Sequence, residues 1–254
     1  MQKQNNFDFI KNILSLLLQH GLDCNITYQH ILQSVMDMVQ NLRYCQDMLC
    51  IYELALTLIQ FGADPNIVLN KSTSGSAVVI SELANFGDSI RATATQQANG
   101  GAVGDGTNPT GREAFRTGAG GSGTGATGIG SGSFRTHSRY ILFYYIILIT
   151  KKEFILTDPK QTYARIIYLF YYSMAHEPLY NCLKCLHNFY VAQVPNRSTE
   201  SLITLITNLY RKPRSLKQIC RQRVYKCLNN KLAQNVNKLN LPGPLKEYVL
   251  NFEP

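Results

Sequence analysis

Apolar residues along this chain come in bursts with helical spacing. Residues 13 to 18 read Ile-Leu-Ser-Leu-Leu-Leu and residues 54 to 59 read Leu-Ala-Leu-Thr-Leu-Ile. Each run is followed by a glycine and an Asp-x-Asn triplet: His20-Gly21-Leu22-Asp23-Cys24-Asn25 in one case, Phe61-Gly62-Ala63-Asp64-Pro65-Asn66 in the other. A glycine at that place can adopt the left-handed conformation that closes a helix, and the aspartate can then form an Asx turn. The two glycines lie 41 residues apart, and residues 31 to 58 hold enough periodic apolar positions for intervening helices. Later runs at 140 to 149, 164 to 174 and 179 to 190 are denser and rich in tyrosine, and Ser198-Thr199-Glu200-Ser201 opens another helix through Tyr210. No stretch shows a convincing period of two. The expected fold is all-α.

A helix ending in Gly-Ala-Asp-Pro-Asn resembles the end of an ankyrin repeat, a unit of about 33 residues. Both copies lack the Thr-Pro-Leu-His opening, so the resemblance leaves two readings: degenerate ankyrin repeats, or helical hairpins that converge on one cap. The run Tyr140-Ile141-Leu142-Phe143-Tyr144-Tyr145-Ile146-Ile147-Leu148-Ile149 is cut short by Lys151-Lys152-Glu153 at about half the length of a membrane span. Buried helices of a solenoid, with tyrosine hydroxyls reaching the rim, are the preferred reading, and no membrane partner is expected.

Between residues 100 and 132 lie thirteen of the eighteen glycines. Such a stretch has little to bury and much backbone entropy to lose. Residues 71 to 138 read as a flexible Gly/Ser/Thr-rich insert, with Ser81-Glu82-Leu83-Ala84-Asn85-Phe86 as a candidate short helix inside it. A phosphate-binding loop is disfavoured, since no Gly-Lys-Ser/Thr follows and no apolar strand leads in. The expected layout is therefore helical repeats over 1–70, the insert over 71–138, further helical repeats over 139–209, and a distinct C-terminal segment over 210–254.

Composition adds three constraints. The chain has 254 residues, 45% hydrophobic and 16% charged, which excludes wholesale disorder. Seven cysteines follow no framework spacing, and the first residues carry no apolar secretory stretch. The expectation is an intracellular protein, cytoplasmic or nuclear. The formal charge of +9 is concentrated, since residues 211 to 254 hold ten Lys or Arg against two Glu.

Candidate chemistry is sparse. Cys182-Leu183-Lys184-Cys185-Leu186-His187 could begin a zinc site, but no second pair completes four ligands, and the thiols share an apolar helical run with Leu179, Leu183 and Leu186. The same reading covers Cys45 and Cys50. The histidines at 20, 30, 137, 176 and 187 fall in separate segments, and His20, just before a cap glycine, suits terminal carbonyls better than acid–base work. Neither a nucleophile elbow nor paired carboxylates is found. No enzyme activity, metal or cofactor is expected.

The C-terminal segment is more specific. After Pro213-Arg214, Ser215 can cap a helix and Gln218 complete a capping box. Leu216, Cys220 and Val224 then fall at i, i+4 and i+8 on one narrow stripe, with Ile219 on its edge and Lys217 and Arg221 pointing elsewhere. Leu216 stands in the first turn with little of its own helix to pack on, so it should seek a pocket. Further on, Asn240 to Leu250 reads as an extended Pro-x-Pro stretch over Pro242-Gly243-Pro244, followed by a short helix with Leu245, Tyr248 and Leu250 on one side.

Together these two elements resemble a SOCS box. Ser-Leu-x-x-x-Cys-x-x-x-Val at 215 to 224 is similar to its elongin-binding half, and Leu-Pro-Gly-Pro-Leu-x-x-Tyr at 241 to 248 resembles its cullin-binding half, of the cullin-five type. With the repeats upstream, the chain resembles the ankyrin repeat and SOCS box family. The resemblance implies a non-catalytic substrate receptor of an elongin BC–cullin–RING ubiquitin ligase. Leu216, Cys220 and Val224, with Ser215 and Ile219, would meet elongin C; Leu241, Pro242, Pro244, Leu245 and Tyr248 would face the cullin. An unidentified protein substrate would sit on the repeats. Gly243 replaces a usual bulky apolar residue and removes contact area there. The rival reading is a basic helical nucleic-acid binder using Arg211 to Arg223 on phosphates. It accounts for the charge but not for the apolar stripe or the Leu-Pro-x-Pro strip, and it predicts steep salt dependence.

Overall fold

The computed structural model describes residues 2–25, 30–42, 47–69, 140–151, 162–191 and 199–252. The glycine-rich insert, its candidate helix at 81 to 86, Cys45 and His137 lie outside the described residues. The described chain is helical: α1 (Gln2–Gln19), α2 (Ile31–Asn41), α3 (Met48–Gln60), α4 (Ile141–Lys151), α5 (Thr162–Ser173), α6 (His176–Val191), α7 (Glu200–Arg211), α8 (Leu216–Cys227), α9 (Leu232–Asn235), a 3-10 turn (Val236–Lys238) and α10 (Gly243–Leu250). The only β feature among the described residues is an isolated antiparallel bridge from Val68 to Tyr140.

The helices pack in two rows. One runs α1 on α3, α3 on α5, and α5 on α8; the other runs α2 on α4 and α4 on α6, with α7 against α6. Hairpins α2/α3, α4/α5 and α6/α7 join neighbours in the chain. The position of α4, touched by α2, α5 and α6, explains its sequence. Every side chain from Ile141 to Ile149 is buried, so no polar face interrupts the apolar run. No described helix is long and apolar enough to cross a membrane.

The tyrosines of α4 depart from expectation. Their hydroxyls were expected at the rim, yet Tyr144 is only 1% exposed. A polar partner inside the protein replaces water: the Tyr144 hydroxyl donates to Asp37 Oδ1 at 2.6 Å and accepts from the Gln40 side-chain amide. Burial raises the pKa of both Tyr144 and Asp37. Tyr145 likewise donates to the Tyr163 carbonyl at 3.2 Å.

The paired glycine caps form as read from the sequence. Gly21 and Gly62 have φ of 96° and 106°, and Asp23 and Asp64 each accept from an asparagine N–H two residues on, both at 2.9 Å. The tips also bond to one another. Asn25 donates its side-chain amide to the Gly62 carbonyl at 2.9 Å and accepts from the Asp64 N–H at 2.9 Å. Asn66 accepts from the Ala175 N–H at 2.8 Å. This chain of bonds sets the C-terminal ends of α1, α3 and α5 side by side along one edge.

Candidate functional site

The C-terminal segment is seated on that edge. Helix ends carry carbonyls with no partner in their own helix, and a partial negative charge. Here side chains from 214 to 234 meet them. Gln234 donates to the Leu18 carbonyl of α1 at 3.4 Å, and the Tyr225 hydroxyl to the Ile59 carbonyl of α3 at 3.3 Å. Arg214 donates to Met174 O, beyond α5, at 2.8 Å and also to Tyr171 O, which Gln222 supplements by donating to Met174 O. Gln60 returns the contact by donating to the Leu250 carbonyl at 2.9 Å. Part of the basic charge of this segment thus serves helix ends within the same molecule.

The chain breaks before α8 because Lys212, preceding Pro213, is held extended. Ser215 then caps α8: its Oγ accepts from the Gln218 N–H at 3.3 Å while the Gln218 side chain accepts from the Ser215 N–H at 2.8 Å. The capping box read from the sequence is present. The cap leaves the first turn standing clear of the body. Leu216 is 77% exposed and Ile219 50% exposed; Cys220 is exposed too. Val224, one turn further, is half-buried and packs against the core. The stripe of 216, 220 and 224 therefore begins in solvent and ends at the body.

The second expected strip also lies outside, with a helix start two residues earlier than the extended reading implied. Pro242 is extended at φ −55° and ψ 148°, and Gly243 and Pro244 already belong to α10. Proline is tolerated there because first-turn N–H groups have no helical acceptor. Pro242, Pro244 and Leu245 are exposed, and Leu241 is half-buried. Nothing lies within 4 Å of a Cβ placed on Gly243. Tyr248 sits differently. Its hydroxyl donates to the Lys217 carbonyl of α8 at 3.1 Å, and Lys217 Nζ stands 4.1 Å from its ring centre. Leu250 packs partly against the core instead of lining a free face with Leu245.

Two residues central to this arrangement lie in the 211–223 range that the rival reading gave to phosphates. Arg214, as described, is tied to the end of α5. Arg221 is 3% exposed, with its guanidinium 3.8 Å from the Tyr248 ring centre, 5.3 Å from Tyr172 and 5.9 Å from Phe252. The expectation that Arg221 points away from the stripe holds, but it points into the protein. The signal that could have shown this is Tyr225, one turn on. Arg221, Tyr225 and Leu228 share a face, and a tyrosine and leucine at that spacing mark it as the inward one. The rival nucleic-acid reading loses these two arginines as phosphate ligands.

Cys182 and Cys185 of the zinc reading are buried among the apolar residues of α6, where desolvation raises both thiols, Cys185 to about 11. No cluster of three or more metal-ligating side chains is found among the described residues.

Compared with known families, residues 212–250 match the SOCS box model. No curated protein and no solved structure matches the chain. A SOCS box is the elongin BC and cullin adaptor module of E3 ubiquitin ligases, and proteins that carry one are typically non-catalytic adaptors.

Proposed function

We propose, taking residues 212–250 as a SOCS box, that this chain is an intracellular substrate receptor of an elongin BC–cullin–RING ligase. The observation that carries the reading is the exposure of Leu216, Ile219 and Cys220 on the first turns of a capped helix. Three apolar side chains displayed together by a rigid N-terminus form an anchor for a pocket, and elongin C is the partner whose motif they match. Leu241, Pro242, Pro244 and Leu245 form the matching strip for a cullin of the cullin-five type. The helical hairpins, of ankyrin kind, would hold a target protein. Ubiquitin transfer would then follow from proximity, since a tethered lysine meets the charged conjugating enzyme at high effective concentration. The chemistry belongs to the partners.

The test is co-purification with elongin B and elongin C, comparing the native chain with a Leu216→Ala/Cys220→Ala double variant. Losing an anchor leucine from a filled pocket costs about 2–5 kcal/mol, so the variant should fail to hold the complex while keeping its helical spectrum. Native chain that leaves elongin behind at moderate salt would sink the proposal.

A further inference from the structure

Arg221 occupies a place where packing alone would favour an aliphatic side chain. Burial lowers its pKa, but a guanidinium stays protonated in proteins. Its Nε–H is buried without a hydrogen-bond acceptor, and the one ion pair among the described residues, Lys11 with Glu53, lies elsewhere. A charge buried without a carboxylate is commonly less stable than a hydrophobic residue of the same volume. What an arginine adds is a flat cation that holds aromatic rings at defined distances and angles.

The rings it gathers come from three parts of the chain. Tyr172 belongs to α5 of the hairpin array, Tyr248 to α10, and Phe252 to the segment after it, while Arg221 itself follows Cys220 on α8. Tyr248 is closest, and it is fastened to α8 twice more, through its hydroxyl on the Lys217 carbonyl and through Lys217 Nζ on its ring. The exposed turn bearing Leu216, Ile219 and Cys220 and the exposed strip bearing Pro242, Pro244 and Leu245 are thus joined through a tyrosine that two cations of α8 approach.

We propose that Arg221 is a positioning residue: it fixes the strip of α10 relative to the exposed turn of α8, so that an elongin complex presents the strip to the cullin in one orientation. This rests on the ligase reading above and assigns Tyr248 to the clamp rather than to the cullin-facing surface. Because Arg221 is almost fully buried, it cannot touch the cullin itself. Any effect it has on cullin recruitment must pass through the rings it holds, Tyr248 nearest among them.

The experiment uses the full chain and two separate affinities: that of elongin BC for the chain, and that of a cullin–RING pair for the preformed chain–elongin complex. Arg221→Met keeps the volume and removes the planar cation; Arg221→Lys keeps the charge and loses the plane. The expected result is elongin affinity within about threefold of the native chain, cullin affinity reduced about tenfold or more by Arg221→Met, and an intermediate loss for Arg221→Lys. Hydrogen exchange over Gly243–Leu250 should rise in Arg221→Met while exchange over Leu216–Cys227 does not. Equal losses of elongin and cullin affinity would reduce Arg221 to a folding residue and overturn the proposal, as would unchanged cullin affinity. If the native chain binds no elongin, the ligase reading fails by itself. The exchange measurement then judges the clamp alone, and α10 loosening no more than α8 overturns it.

Discussion

The hairpin array and the C-terminal segment use apolar residues in opposite ways. In α4 every side chain from Ile141 to Ile149 is inside, and its tyrosine hydroxyls find partners within the protein. In α8 the most apolar turn, bearing Leu216 and Ile219, is outside, and the inward face is held by Arg221 and Tyr225. The array is held by area removed from water. The segment buries Tyr225, Leu232, Val236, Val249 and Phe252, and adds to them donors aimed at the ends of three helices and cations on rings. A short run of chain anchored by both means can leave Leu216 and Ile219 of its first helix outside.

The largest test of this contrast applies one substitution to both regions. Leu142→Ala removes a fully buried side chain of α4 and should cost about 2–5 kcal/mol in denaturant unfolding. Leu216→Ala should move the stability of the free chain by no more than about 0.5 kcal/mol, although it belongs to the double variant expected to lose elongin. Comparable losses of stability would mean that the first turn of α8 is part of the protein's own core.

A second test reads the same contrast through cysteines. Cys182 and Cys185 are buried with raised thiol pKa values, so at neutral pH they hold little thiolate and react only when α6 opens. Cys220 and Cys227 are exposed and should be alkylated first in the native chain, as read by peptide mass spectrometry. Adding elongin B and C should then protect Cys220 and leave Cys227 reactive. Protection of both, or of neither, would place the partner on a different face of α8.

The local signals in the sequence were enough for much of this. The cap glycines, the Asx turns, the capping box at Ser215 and the amphipathic runs depend on neighbours within a few residues, and each forms where its residues stand. The resemblance at 215–224 and 241–248 falls inside the matched 212–250. The inward face of Arg221 was legible from Tyr225 and Leu228, but the partners of both arginines were not, because they are distant in the chain. Arg214 reaches Tyr171 and Met174, and Arg221 reaches Tyr172 and Tyr248, and nothing at 214 or 221 announces a helix end or a ring at that spot. The tyrosine of α4 was misplaced for the same reason: Asp37 lies 107 residues away. Tyr248 was grouped with its chain neighbours although its hydroxyl belongs to α8.

The smallest effect expected concerns two glycines, and it differs in sign. Gly62 has a φ of 106°, and a Cβ there would stand 3.4 Å from Lys231 Cγ, where the C-terminal segment crosses the end of α3. An alanine at that φ pays in backbone strain, so Gly62→Ala should destabilise the chain by about 1 kcal/mol or more. Gly243 needs no left-handed backbone and has open space around it. Gly243→Ala should therefore stabilise α10 by about 0.4–1 kcal/mol, because it restricts the unfolded chain more than the folded one. A larger apolar residue, as in Gly243→Leu, would add contact area to the strip of Pro242, Pro244 and Leu245, and tighter cullin binding without a change in elongin affinity is the expected outcome. A Gly243→Leu chain that binds both partners as the native chain does would show that this edge of α10 faces solvent in the assembled ligase, and the strip would have to be redrawn around Leu241 and Leu245.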